Sequence, residues 1–158
     1  MLRRAHSLAL MALARAPTIG EWFRKSRLRQ SRQKQFLMAL ILIVEDDVFI
    51  RDDAEAMIQD WGHTTLSAGD VDEALSHLHS PQPIDALFTD VCLKRALLGG
   101  YEIAHEAIKL RRNLRVLYTT GHTVNDKMKT FFVEGAHFLQ KPYTQLQLQN
   151  SVEGLLAA

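Results

Sequence analysis

From residue 39 onward, apolar and polar residues fall into blocks that switch between two periods. Nearly unbroken aliphatic runs at 39–44, 84–89 and 115–119 have the pattern of strands covered on both faces. Shorter runs at 63–67 and 137–139 predict two more strands. Between them the spacing becomes helical. Ile50, Ala54, Met57, Ile58 and Trp61 predict a helix over 48–61, with Gly62 where a C-terminal cap belongs. Val71, Ala74, Leu75 and Leu78 predict a helix over 71–79. Pro81 and Pro83 mark a loop, and Gly99 and Gly100 punctuate the chain before a third helix from about 101 to 111. A fourth helix is predicted over 124–134, capped by Gly135, and a fifth over 146–156.

Five strands thus alternate with five helices. Short β–α–β units imply one parallel sheet with helices on both faces. For such a length the expected strand order is 2-1-3-4-5, and ligands then sit beyond the carboxyl ends of the strands. The residues just after each strand therefore carry the functional information.

Charge divides the chain in two. Residues 1–37 hold nine basic residues against one acid, Glu21, a net charge of +8; the overall +1 leaves −7 for the remainder. Residues 1–38 are expected to be a basic extension, disordered or preceding a true start at Met38. A signal peptide, an amphipathic presequence and an arm touching nucleic acid or anionic lipid are the other readings of its arginine-flanked apolar run. Residues 39–158 form the expected folded domain. No apolar run approaches the ~20 residues that cross a bilayer. The single cysteine, Cys92, excludes an internal disulfide and a cysteine-based metal cluster. A cytoplasmic location is expected.

The strand ends carry Glu45, Asp46 and Asp47 after the first strand, Asp90 after the third, Thr119 and Thr120 after the fourth, and Lys141 and Pro142 after the fifth. Brought into one pocket, the carboxylates repel one another unless a proton or cation neutralises them. Oxygen ligands alone select a hard cation such as magnesium, which keeps waters that a phosphoryl group can replace. A facing lysine and a hydroxyl from Thr119 or Thr120 complete what phosphoryl transfer to a carboxylate requires.

The stretches ILIVEDD, ALFTDV, VLYTTG and GAHFLQKPY, in this order over about residues 39–157, resemble the receiver domain of bacterial response regulators. The resemblance implies a flavodoxin-like α/β fold and a two-component phosphorelay function. Asp90 would be the phosphoacceptor. Glu45 and Asp46 would hold Mg2+ (or Mn2+) together with Asp90 and the backbone carbonyl of Cys92. Thr120 would be the switch hydroxyl, Phe138 the switch aromatic, and Lys141 the partner of the phosphoryl oxygens. The Lys141–Pro142 peptide bond would be cis, and His122 would be a candidate modulator of dephosphorylation. The implied partner is a histidine kinase or a histidine phosphotransfer protein. With the chain ending at Ala158, no DNA-binding output domain is expected, and output would pass through a protein contact or a homodimer.

Other readings attach to the same residues. Asp47 is expected only to favour the N-terminus of the following helix, and Cys92 to be a packing residue rather than a reactive thiol. One departure from the family pattern stands out. Lys94 occupies a place where proline is common, and the stretch LKRALLGGYE is one or two residues longer than usual. The competing functions are a small magnesium-dependent phosphatase-like α/β enzyme and a degenerate receiver that only binds partners. The phosphatase would want a second aspartate where Cys92 stands. On the favoured reading the protein catalyses only its own phosphorylation and dephosphorylation.

Overall fold

The computed structural model describes residues 38–94 and 96–158. The basic extension expected over 1–38 lies outside them except for Met38. The described chain runs β1 (Leu40–Val44), α1 (Val48–Asp60), β2 (Thr64–Ala68), α2 (Val71–His79), β3 (Ala86–Asp90), α3 (Gly99–Leu110), β4 (Arg115–Thr120), α4 (Asp126–Lys129), β5 (His137–Gln140) and α5 (Gln145–Ala157). The five strands are parallel and ordered β2-β1-β3-β4-β5, as the alternation predicts.

The aliphatic strands face two layers. Leu42, Val44, Leu87, Val116 and Tyr118 pack with Ala74, Leu78, Ile103 and Ala104 of α2 and α3. Ile41, Ile43, Phe88 and Leu117 point to the opposite face, against Ala54 and Ile58 of α1 and Leu148, Val152 and Leu155 of α5. This two-sided burial explains why the strands read as unbroken runs instead of alternating.

Helix ends follow the local chemistry. The Asp47 carboxylate accepts from the N–H groups of Phe49 (3.0 Å) and Ile50 (3.3 Å) and so caps α1, the task its position implied. Gly62 ends α1 at φ +89°, where a side chain would be strained. The Arg111 guanidinium binds the carbonyls of Leu78, Ser80 and Gln82 at 2.6–3.1 Å, joining the end of α3 to the end of α2.

One expected element is corrected. The helix predicted over 124–134 is a single turn, α4. Asn125 caps it through Met128 N–H (2.9 Å), and it then tightens, with Phe131 N–H bonding Met128 and Phe132 N–H bonding Lys129. Phe131 lies against Tyr101 (centroids 5.6 Å), Phe132 stacks on Tyr118 (4.5 Å), and Val133 is buried. Phe132 and Val133 turn inward in succession, while Phe131 lies along the Tyr101 ring and stays 43% exposed; successive side chains of a continued α-helix would diverge by about 100°. Gly135 does take positive φ (+74°), but it closes a loop and not a helix.

Candidate functional site

Parallel register brings the strand ends level. Val44 pairs with Thr89, Asp90 with Thr119, and Thr120 with Gln140. The residues at or just past those positions are Glu45, Asp46, Asp90, Thr120 and Lys141. Carboxylate oxygens of Glu45, Asp46 and Asp90 lie within 4.8 Å of one another. These side chains come from positions up to 45 residues apart, and the sheet order alone makes them neighbours.

Hydrogen bonds tie down the backbone around them. Glu45 donates its N–H to Ala68 (3.1 Å), and its carbonyl accepts from the Arg51 guanidinium (2.7 Å). Asp90 Oδ1 accepts from Cys92 N–H (3.1 Å). On the other side of Asp90, Gly100 N–H donates to Val91 O (3.2 Å), which brings the first turn of α3 against the end of β3. The Lys141–Pro142 bond is cis.

Lys141 balances two of the three acids. Its ammonium donates to Glu45 and, at 2.7 Å, to Asp90 Oδ2. Burial works against the charge on Lys141, yet the hydrogen bonds and charges of Asp90 and Glu45 outweigh it and raise its pKa. Burial pushes the Glu45 pKa up as well; Lys141 opposes the shift, and the Asp90 charge adds to it. The third acid, Asp46, turns elsewhere. Its Oδ2 accepts the backbone N–H of Lys94 (3.1 Å) and lies 3.4 Å from the Lys94 ammonium. The sequence marks Lys94 only as a departure from pattern, and no local signal joins it to an acid 48 residues away.

The donor set fits a hard divalent cation. It consists of oxygens only, from three acids whose mutual repulsion one cation relieves. Cys92 adds nothing as a thiolate: burial and the nearby Asp90 charge raise its pKa.

The remaining candidates lie beside this group. Thr120 is fully buried; its hydroxyl contacts the Cys92 thiol and accepts His122 N–H at 3.2 Å. The His122 side chain is exposed. Thr119, the other candidate hydroxyl, is buried and has no hydrogen-bond partner among the described residues. Phe138 is half-buried, its ring 6.0 Å from that of Phe132. Beyond Lys141 an open hollow of about 670 Å³ is bordered by Phe49, Ile50, Asp53 and Tyr143, with Phe49 82% exposed. No described helix is long and apolar enough to cross a membrane.

Comparison with known proteins matches residues 41–153 to the family described as response regulator receiver domain. Among curated proteins, the response regulator MprA of Mycobacterium ulcerans is 29% identical over 117 residues, 73% of this chain and 49% of that protein. The chain spans half or less of the curated relatives it matches. Among solved structures, a response regulator receiver protein from Sinorhizobium medicae superimposes with a TM-score of 0.71 at 26% identity, covering 77% of this chain and 96% of that one. The chemotaxis response regulator CheY4 of Vibrio cholerae gives 0.65 at 25% identity, covering 75% and 98%. Fold, strand-end acids and the family match over most of the chain agree: this protein belongs to the response regulator receiver domain family of two-component signalling.

Proposed function

We propose that residues 39–158 work as the phosphoacceptor unit of a two-component phosphorelay, with Asp90 taking a phosphoryl group from a phosphohistidine on a histidine kinase or phosphotransfer protein. The observation that carries this function is the placement of Lys141 between Glu45 and Asp90, with Asp46 completing a three-carboxylate cluster. Glu45, Asp46 and Asp90 would hold Mg2+, with the Cys92 carbonyl as a further ligand. Bound there, the cation would supply positive charge that stabilises the transferring phosphoryl oxygens.

The chain's own groups account for the rest. An Asp90 carboxylate oxygen attacks phosphorus, the donor's N–P bond breaks, and the departing imidazole nitrogen keeps the electron pair and takes a proton. Lys141, already bonded to Asp90, stabilises the new phosphoryl oxygens. The exposed apolar rim of Phe49 and Ile50 gives the donor protein a surface beside the acceptor. Later, water attacks phosphorus, the Asp90 O–P bond breaks, and phosphate leaves.

Signalling follows from the neighbours of the acceptor. Thr120 moves its hydroxyl toward the phosphoryl group, Phe138 turns into the space released, and the surface of α4, β5 and α5 changes for a protein partner. His122, whose backbone N–H donates to the Thr120 hydroxyl, is a candidate modulator of phosphoryl lifetime. Reversing such a switch from 1:99 to 99:1 takes about 5.5 kcal/mol of differential interaction. A phosphatase is disfavoured because the position two after Asp90 holds Cys92, a neutral thiol, where an acid–base carboxylate would be needed.

The test is intact mass after incubation with acetyl phosphate and MgCl2. The protein gains one phosphoryl group, chelation prevents the gain, and Asp90→Asn abolishes it. A gain that persists in Asp90→Asn, or none in the native protein, overturns the assignment.

A further inference from the structure

The five charges of the site are held unequally. Lys141 is 14% exposed and bonded to two carboxylates. Lys94 is 72% exposed, while its partner Asp46 is only 13% exposed. The acid is built into the pocket, and the ammonium reaches it from solvent. A second bond comes from the backbone. Lys94 is the second residue of a turn closed by the reciprocal Leu93 and Ala96 hydrogen bonds (3.2 and 2.9 Å), and that turn aims its N–H at Asp46 Oδ2. The Lys94 ammonium also reaches the Asp46 carbonyl (3.5 Å).

We propose that Lys94 is an exchangeable counter-ion for Asp46, which competes with the divalent cation and thereby sets the cation affinity of the site. This rests on the cation site proposed above. A cation that takes Asp46 must displace the ammonium and weaken the turn's N–H bond. The displaced lysine has somewhere to go: a cavity of about 580 Å³, lined by Asp46 and Lys94, also carries Asp70, Asp72 and Glu102 on its walls. Exchange between these acids and Asp46 costs little on the lysine's side, because its ammonium stays in water and ion pairs of an exposed charge are individually weak. The lysine therefore tunes the concentration at which the cation binds without closing the site to it.

The test is an MgCl2 titration at constant ionic strength, followed by backbone amide NMR on the full chain. Lys94→Met keeps the turn's N–H and removes the charge; its Kd for Mg2+ should fall roughly two- to fivefold, the weight of one exposed ion pair. Lys94→Pro removes the N–H as well and should bind more tightly still. In the native protein the Lys94 amide should shift as Mg2+ saturates Asp46. Lys109→Met makes the same change of net charge at the far end of α3 and should leave Kd unchanged. Mg2+ binding in the native protein with an equal or weaker affinity in Lys94→Met overturns the role of Lys94 and leaves the cation site standing. No saturable Mg2+ response in any of the proteins overturns the site itself, and the proposal with it.

Discussion

Gly100 offers a measurement of how closely the backbone of Asp90 is packed. A Cβ built there lies 2.1 Å from the carbonyl oxygen of Asp90 and 2.8 Å from Val91 Cα. Ordinary carbon–oxygen contacts begin near ~3.3 Å, so Gly100→Ala forces a separation of more than about 1 Å. Both obstacles are main chain, and no side-chain rotation relieves them. Overpacking costs about 1–3 kcal/mol, and this site belongs at the upper end. Stretching the Gly100 N–H bond to Val91 adds about 1 kcal/mol. The better helix propensity of alanine returns at most about 1 kcal/mol. The net loss is about 3 kcal/mol, which lowers Tm by roughly 10 °C for a domain of this size.

Urea denaturation checks it. The midpoint should fall by about 1–2 M with an unchanged slope. Gly154→Ala is the internal control. It lies within α5, where the nearest atom to an added Cβ is His137 Cε1 at 3.9 Å, so the same substitution should stabilise by about 0.5–1 kcal/mol. Opposite signs for one chemical change isolate the contact. A loss below about 1 kcal/mol in Gly100→Ala, or equal effects at the two sites, would refute the packing argument. Because the displaced atom belongs to Asp90, the folded variant should also accept phosphoryl groups more slowly than Gly154→Ala does.

Two further predictions concern charge. The raised pKa of Glu45 means that its stabilising contribution is complete below the ordinary value of 4.5 and is lost as pH rises through the folded value; Glu45→Gln should therefore raise Tm at neutral pH in metal-free buffer while weakening Mg2+ binding, and a lower Tm would contradict it. His63 behaves oppositely: its buried ring accepts Ala39 N–H at Nδ1 (3.2 Å), and burial, partly offset by Glu153, lowers its pKa. Its contribution is present above 6.5 and disappears as pH falls through the folded value, so His63→Ala should cost about 1–3 kcal/mol at pH 8 and flatten the acid limb of the Tm–pH curve.

The β–α alternation was legible because both-face burial makes aliphatic strands conspicuous and the helices between them keep a simple period. The meeting of the strand-end residues was legible for a related reason: in a parallel sheet of this order, residues following different strands converge whatever their separation in sequence. Asp47 could be assigned its cap from position alone. What escaped was long-range. Nothing local in Arg111 announces three carbonyls at the end of α2 and just beyond it, and nothing around His63 announces Ala39. The α4 segment misled because Val124, Met128 and Phe132 have helical spacing, while the decisive fact is the aromatic slot formed by Tyr101 and Tyr118 on other elements. Phe132 seats against both of those rings, and the chain leaves the helix before it.

The two lysines show why spacing alone could not rank the charges of the site. Lys141 follows a strand and is fixed by the sheet, so its position could be inferred with the fold. Lys94 lies in the β3–α3 connection, and its meeting with Asp46 depends on where that loop turns. A buried ammonium shared by two acids is costly to remove, because each acid would be left uncompensated in a poorly solvated place. An exposed ammonium over one acid can be traded for a cation at little cost. The two lysines therefore differ in how they are held: the strand-end lysine is enclosed by two buried acids, and the loop lysine meets a single acid from solvent.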